Sequence, residues 1–336
     1  MTHTNALAPV KATRVEELGI DDYPTNAETR LLVEVAQNGL GASIRVPVVV
    51  ARGRKPGPVF GVTAALHGNE LNGIPLIHQL LARVNLGKLK GTIVAVIVAN
   101  IPGLLAEQRE FTDGKDLNHI MPGKDDGNVS QQYAYGLMSR IVQRFDFLVD
   151  LHTASFGRVN SLYVRADMSN PTTAKMARLL RPQIILHDPP SDYTMRGAVA
   201  ENGIPAITVE IRDPHLFQAK SIQRSLSGVL KILSAVEMLP PRKAVEAPAP
   251  IICDESYWIY TDRGGLLSVL PDVTDIVRKG ELIARQSNVF GDVTREYLAP
   301  EDGVIIGRSV NPVSQTGARI LHLGLLNSGG KFDPNA

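Results

Sequence analysis

The chain has 336 residues, and its 35 basic and 34 acidic side chains give a net charge of +1. This balance does not favour a nucleic-acid or anionic-membrane partner. The single cysteine, Cys253, excludes an intrachain disulfide and a zinc site built from cysteines. The length predicts roughly two domains, each able to bury a core.

The first two thirds of the chain predict strands that alternate with helices. Residues 30–50 predict two strands around the turn signal Asn38-Gly39. The remaining elements, in chain order, are strand 59–66, helix 71–84, strand 92–99, helix 130–145, strand 147–152, strand 161–165, helix 171–181, strand 183–187, strand 204–211 and helix 217–238. This alternation predicts an α/β domain with a largely parallel sheet, whose ligands bind at the carboxyl ends of strands.

No segment predicts export or a membrane span. The N-terminus has no apolar run after a basic start, so we expect no signal peptide and a cytoplasmic protein. The most apolar stretch, 93–106, is broken by Asn100, Pro102 and Gly103, and it is shorter than the roughly 20 residues that a membrane helix needs. We expect a buried strand and a loop there.

A change of pattern divides the chain near residue 240. Residues 241–250 are rich in proline and small residues, which predicts a linker. Beyond it, short apolar runs are separated by Gly, Pro and Asp, which predicts a small all-β domain. The predicted division is a catalytic α/β domain at 1–240, a linker at 241–250 and a β domain at 251–336.

Metal-ligand side chains stand at two predicted strand ends. His67 directly follows strand 59–66 and Glu70 comes three residues later, while His152 ends strand 147–152. Zinc binds neutral imidazole and carboxylate, and catalytic sites commonly have three protein ligands. Gly68 is expected to let the backbone turn sharply, so that Glu70 begins the next helix. Asp150 points to the same strand face as His152 and can orient its ring.

Four motifs strengthen these assignments, since HxxE or DLH alone is a weak signal. The motifs HGNELNG, REFTDGKDLNHIMPG, DLHTAS and TVEIRDP occur in this order between residues 67 and 214. Together they resemble the succinylglutamate desuccinylase/aspartoacylase family of zinc enzymes. The resemblance implies a zinc carboxypeptidase-like mixed sheet flanked by helices, and one Zn²⁺ per chain.

The resemblance also implies roles for individual residues. The zinc ligands would be His67, Glu70 and His152; Glu210 would be the catalytic base, and Arg109 would polarise the scissile carbonyl. The residues alone leave a second interpretation of Glu210, an ion pair with Arg212 or another base. A carboxylate on a buried, apolar strand is costly without a purpose, which favours catalysis.

The substrate-binding motif departs from the family pattern at one position. Asn118 matches the family's asparagine, but His119 stands where arginine is usual. Histidine cannot reproduce the two parallel hydrogen bonds of a guanidinium to a carboxylate. Either a protonated His119 or another cation meets the substrate carboxylate, or the substrate has none there. The other candidate cations are Arg158, Arg165, Arg196 and Arg212.

The C-terminal segment resembles a biotinyl/lipoyl-type β-barrel. Carrier domains of this type hold their modified lysine at a hairpin tip, but residues 285–298 contain no lysine. We therefore expect no lipoyl or biotin attachment. Gating of the substrate, an oligomer contact or simple packing are the alternatives for its role.

The predicted function is a zinc-dependent amidohydrolase that cleaves the amide bond of a small N-acyl amino acid or a related compound. The alternatives are a zinc metallocarboxypeptidase acting on peptides and a non-catalytic metal-binding regulatory protein. The expected partner is a small-molecule N-acyl substrate, without nucleic acid or membrane, and self-association into a homo-oligomer is left open.

Overall fold

The computed structural model describes residues 11–190, 193–242 and 248–326. Its strands are β1 (Thr13–Val15), β2 (Ala27–Gln37), β3 (Ser43–Arg52), β4 (Lys55–Ala64), β5 (Lys90–Val96), β6 (Phe147–His152), β7 (Arg158–Asn160), β8 (Leu162–Ala166), β9 (Ile184–His187), β10 (Ala206–Ile211), β11 (Ile251–Tyr260), β12 (Gly265–Val269), β13 (Ile276–Val277), β14 (Leu282–Ser287), β15 (Val293–Leu298), β16 (Gly303–Ser309), β17 (Val313–Ser314) and β18 (Arg319–Leu326). Its α-helices are α1 (Gly73–Arg83), α2 (Ile101–Leu105), α3 (Val129–Arg140), α4 (Pro171–Leu180), α5 (Met195–Glu201) and α6 (Ala219–Ala235), and short 3₁₀ helices occur at Ile20–Asp22, Leu117–His119 and Val142–Arg144.

A mixed sheet forms the centre of the molecule and confirms the predicted α/β class. Its central strands run in the order β5-β4-β6-β10 and are parallel to one another. Antiparallel pairs flank them at β2–β3, β3–β5 and β10–β8. The expectation of a largely parallel sheet is therefore only partly met, because parallel pairing continues at β1–β2, β8–β9 and β9–β11 but alternates with these antiparallel pairs. The tight connection at Asn38–Gly41 makes β2 and β3 a hairpin, which requires antiparallel pairing.

Helices cover both faces of this sheet. Successive residues of a strand point to opposite faces, so Val149 packs in one core and Leu148 in the other. The first core holds side chains of α1, α4 and α6, and the second holds side chains of α3 and α5. The central strands are largely apolar on both sides, and Asp150, His152 and Glu210 lie toward the carboxyl ends of β6 and β10.

Two local expectations change. Helix α1 begins at Gly73, so Glu70 lies in the turn before the helix rather than at its start. The stretch 93–106 leaves β5 at Val96 and then forms the short helix α2, which starts where the Asn100 side chain accepts a hydrogen bond from the Gly103 amide at 2.9 Å. Within the described residues, no helix is both long and apolar enough to cross a membrane.

The C-terminal strands confirm the predicted all-β character but continue the main sheet. Strand β11 pairs in parallel with β9, and β18, β16 and β13 follow it. A second sheet, in the order β15-β14-β12-β17, packs over them around an apolar cluster that includes Ile283 and Ile320. Strand β7 pairs with β16, which brings this segment beside the α/β sheet. The domain limits stay a prediction, since linker residues 243–247 and the terminal residues 327–336 lie outside the described residues.

Candidate active site

Three neighbouring parallel strands deliver the predicted site residues to one edge of the sheet. Strand β6 lies between β4 and β10, and Glu210 is directly opposite His152 in the register of β6 and β10. His67 follows the end of β4 by three residues. The carboxyl ends of β4, β6 and β10 thus place the HxxE turn, His152 and Glu210 together.

His67, Glu70 and His152 form a compact donor cluster. Each offers one ligand atom, and these atoms lie within 4.8 Å of one another. His67 Nδ1 is 3.0 Å from Glu70 Oε1, and His152 Nδ1 is 3.0 Å from Glu70 Oε2 and 3.1 Å from His67 Nδ1. All three residues are at most 2% exposed.

Carboxylates engage the outer nitrogen of each imidazole. His67 Nε2 is 2.9 Å from Asp116 Oδ1, and His152 Nε2 is 2.7 Å from Asp150 Oδ2. Each Nε2–H then donates to its carboxylate. Each Nδ1 is left with a lone pair that points toward the Nδ1 of the other histidine and toward Glu70. Three lone-pair donors at such distances repel one another unless a proton or a metal ion lies among them. The donor set and its outer carboxylates therefore fit a divalent metal such as zinc.

The electrostatics of the cluster also favour a bound cation. Burial opposes ionisation of Glu70, but the neighbouring His67 and His152 outweigh it and hold the pKa of Glu70 well below its usual range. Burial likewise opposes protonation of His152, yet Asp150 and Glu70 raise the pKa of His152 well above its usual value. The surrounding carboxylates thus stabilise positive charge at this point.

Close backbone contact, rather than special torsion, explains the glycine in the HxxE turn. A Cβ on Gly68 would lie 1.9 Å from the backbone carbon of Gly103 in α2. The positive φ in this region belongs to Ala65, at 51°. The Glu70 amide closes the turn by donating to the His67 carbonyl at 3.1 Å.

Further contacts fix the two halves of the HxxE motif. Asn72 Nδ2 donates to the Ile211 carbonyl at 2.8 Å, which ties the turn to the strand that carries Glu210. The Thr153 amide donates to Glu70 Oε2 at 3.0 Å, and Ser155 Oγ donates to Glu70 Oε1 at 2.7 Å. Glu70 is therefore held in one orientation.

Glu210 is half-buried and lines the same cavity as His67, Glu70 and His152. Asn160 Nδ2 donates to Glu210 Oε2 at 3.2 Å. Burial, followed by the negative charge of Glu70, raises the pKa of Glu210. In the described part of the chain Glu210 has no ion-pair partner within 4.0 Å, so the alternative pairing with Arg212 does not occur.

Arg109 joins the cluster, as its motif position suggested. Its Nη1 donates to Glu70 Oε1 at 2.8 Å and to Ser155 Oγ at 2.5 Å. Its Nε and Nη2 both reach Asp116 Oδ2 at 2.8 Å. Asp116 therefore connects Arg109 to His67, a role that the sequence did not reveal.

The two predicted substrate residues differ in their surroundings. Asn118 Oδ1 accepts from the Met195 amide at 2.8 Å, so its Nδ2 group is the part left to donate. His119 is 73% exposed, and its Nε2 is 3.9 Å from Asp116 Oδ2. Both residues line the cavity.

The cavity has a volume of about 330 Å³, and the C-terminal β segment forms part of its wall. Trp258 from β11 and Arg319 from β18 line this wall. The cavity is also lined by three of the cations that the sequence suggested as partners of a substrate carboxylate, Arg158, Arg165 and Arg196. Arg212 is not among the lining residues. The missed residues are Asp116, Ser155, Asn160, Trp258 and Arg319. Of these, Asp116 could have been predicted, because a metal-bound histidine such as His67 commonly donates its other ring N–H to a carboxylate.

Comparison with known proteins settles the family. The model of the succinylglutamate desuccinylase/aspartoacylase catalytic domain matches residues 56–236, more than half of the chain. The chain belongs to this family. The matched range contains the whole donor cluster, together with Glu210 and Arg109. The matched range ends before β11, so Trp258 and Arg319 lie outside it.

A relative and two solved structures align with this chain over most of their own length. N-alpha-acetyl-L-2,4-diaminobutyric acid deacetylase of Halomonas elongata is 25% identical over 79% of this chain and 81% of its own. The product-bound ectoine utilization protein of Ruegeria pomeroyi superposes with a TM-score of 0.82 at 20% identity, covering 90% of this chain and 96% of that one. A succinylglutamate desuccinylase/aspartoacylase from Rhodobacter sphaeroides gives 0.80 at 20% identity, covering 91% and 97%. These structures share the fold.

Proposed function

We propose that this protein is a zinc-dependent amidohydrolase that removes the acyl group from a small N-acyl amino acid. The observation that carries the proposal is the convergence of His67, Glu70 and His152 beside Glu210 and Arg109 in one cavity. The relationship to a deacetylase of an acetylated diamino acid supports this reaction class.

The division of labour follows from the contacts. His67, Glu70 and His152 would hold the metal, and a bound zinc ion supplies Lewis-acid polarisation of a carbonyl and lowers the pKa of water. Glu210 accepts a proton from the attacking water and passes it to the leaving amine. Arg109 donates hydrogen bonds to the oxygen that becomes negative as the amide carbon turns tetrahedral. The products are a carboxylic acid and a free amine.

The shape of the cavity favours a small substrate over a polypeptide. Its volume of about 330 Å³ is near the lower end for small-molecule sites, and the C-terminal β segment walls one side. This supports a deacylase over the metallocarboxypeptidase alternative. The intact donor cluster and the nearby carboxylate of Glu210 likewise disfavour a non-catalytic regulatory protein.

The test is a panel of substrates assayed with zinc-loaded protein. The panel contains N-acetyl and N-succinyl amino acids, N-acetylated 2,4-diaminobutyrate and peptides of increasing length, and released amine is measured. Hydrolysis of N-acyl amino acids, with peptides left intact, supports the proposal. Preferential trimming of peptides, or a zinc-loaded protein inert toward the whole panel, would contradict it. A cytoplasmic location and self-association stay predictions.

A further inference from the structure

The arginines of the cavity fall into two groups by their ion pairing. Arg109 forms ion pairs with Asp116 and Glu70. Arg165 Nη1 and Arg196 Nη2 share the carboxylate of Asp188, at 3.2 and 2.9 Å. The remaining two arginines, whose guanidinium groups have no carboxylate within 4.0 Å among the described residues, are Arg158 and Arg319.

Both of these guanidinium groups lie against one aromatic ring. The Cζ atoms of Arg319 and Arg158 are 5.0 and 5.8 Å from the centre of the Trp258 ring. His322 stacks on the same ring, with centroids 5.0 Å apart and planes 12° apart, and its Nε2 is 2.8 Å from Ser256 Oγ. The ring is thus fixed in place, and cation–π contact holds two like charges near each other.

This arrangement leaves positive charge without a protein counterion. Burial, and then the charge of Arg319, lower the pKa of Arg158. An anion that bridged the two guanidinium groups would offset their repulsion. Planar guanidinium groups match the geometry of a carboxylate through paired hydrogen bonds, which the exposed His119 cannot make.

We propose that Arg158 and Arg319, supported by Trp258, bind a carboxylate of the substrate that is not part of the scissile amide. The C-terminal β segment then takes part in substrate recognition, because Trp258 and Arg319 both belong to it. The inference rests on the proposed deacylase function. The carboxylate belongs either to the amino acid that is released or to a dicarboxylic acyl group, and the two sources are chemically alike at the site.

Steady-state kinetics of Arg158→Gln and Arg319→Gln test the proposal and separate the two sources. The substrates are an N-acetyl amino acid, its carboxamide, and an N-succinyl amino-acid amide. Loss of one charge-assisted contact should raise KM about 10- to 100-fold for the carboxylate-bearing compounds, with kcat within about threefold and the uncharged carboxamide unaffected. An effect on the N-acetyl amino acid places the carboxylate on the amine side. An effect confined to the succinyl compound places it on the acyl side.

A matched control lies in the same β segment. Arg295 also stacks on an aromatic ring, with its Cζ 5.9 Å from the Tyr297 centroid, but it pairs with Asp262 at 2.9 Å and does not line the cavity. Arg295→Gln should leave every KM unchanged. Wild-type KM values for all substrates in both Arg158→Gln and Arg319→Gln would overturn the proposal.

Fluorescence provides a readout that does not depend on turnover. Trp258 is the only tryptophan of the chain, so intrinsic fluorescence reports directly on the ring that both arginines contact. Succinate added to metal-depleted protein should give a saturable change in Trp258 fluorescence. Succinamide should give no such change, and neither should succinate added to the variant in which both arginines are replaced. A saturable response in a protein that hydrolyses no N-acyl amino acid would refute the proposed function alone. Hydrolysis without any response to succinate would refute the carboxylate site alone.

Discussion

Asp116→Asn is the substitution that tests the outer contacts of the metal site most sharply. Asp116 Oδ1 accepts from His67 Nε2 at 2.9 Å and from the Asn118 amide at 2.9 Å, while Oδ2 accepts from Arg109 Nε at 2.8 Å. Although burial favours its protonated form, His67 and Arg109 hold the pKa of Asp116 well below its usual range, so it stays charged. Asparagine keeps the shape but loses the charge, and its amide group meets the donors of Arg109.

The expected loss follows from the weakened orientation of His67. Removing a carboxylate partner of a metal-bound histidine typically weakens metal binding about 10- to 100-fold, or roughly 1.4 to 2.7 kcal/mol. Zinc affinity is measured by competition with a chelator of known affinity, and turnover at saturating zinc should also fall because Arg109 is displaced. Asp113→Asn is the control, since Asp113 accepts from Ser130 Oγ at 2.7 Å away from the cluster. Unchanged zinc affinity in Asp116→Asn would refute the reasoning.

Four further predictions concern the general base Glu210, the pH dependence of kcat/KM, the removal of zinc and Gly68 in the HxxE turn. Glu210→Gln should lower turnover about 10²- to 10⁴-fold while bound zinc per chain stays constant, and loss of the metal instead would reject its role as base. Because the pKa of Glu210 is raised and the base must be ionised, kcat/KM should fall as the pH drops through that pKa. Asn160→Ala removes a hydrogen bond to the charged form of Glu210, so the acid limb of the pH profile should move to higher pH. A shift of this limb to lower pH would contradict the assignment. Removing zinc should lower Tm, since a ligand at 100 times its Kd stabilises the folded state by about 2.7 kcal/mol, and a Tm insensitive to zinc would contradict the site. Gly68→Ala should destabilise the protein by roughly 1–3 kcal/mol or more through its clash with Gly103, measured by urea unfolding, whereas Gly39→Ala, with open space around its Cβ position, should not.

The sequence predicted the centre of the fold well because its signals there are local. Apolar runs end at His67, His152 and Glu210, and parallel neighbouring strands bring such ends together. The two short helices α2 and α5 escaped prediction, since neither spans enough residues for a clear periodicity. The reason for Gly68 also escaped, because it depends on the approach of a distant helix.

The outer parts of the candidate site depend on pairings that no local pattern encodes. Trp258 and Arg319 reach the cavity because β11 pairs with β9 and β16 pairs with β7. The sequence predicted an all-β segment but not the edge on which it would lie. The sequence alone therefore left the consequence of His119 for substrate binding open, because only the fold brings Arg158 and Arg319 together against Trp258.

Zinc titration of metal-depleted protein tests the central claim most directly. Amine release from an N-acyl amino acid is followed as zinc is added, together with the metal bound per chain. We expect no turnover without metal, a linear rise in turnover that ends at one zinc per chain, and no rise in His152→Ala. Full turnover in the metal-free protein, or undiminished zinc-dependent turnover in His152→Ala, would contradict it.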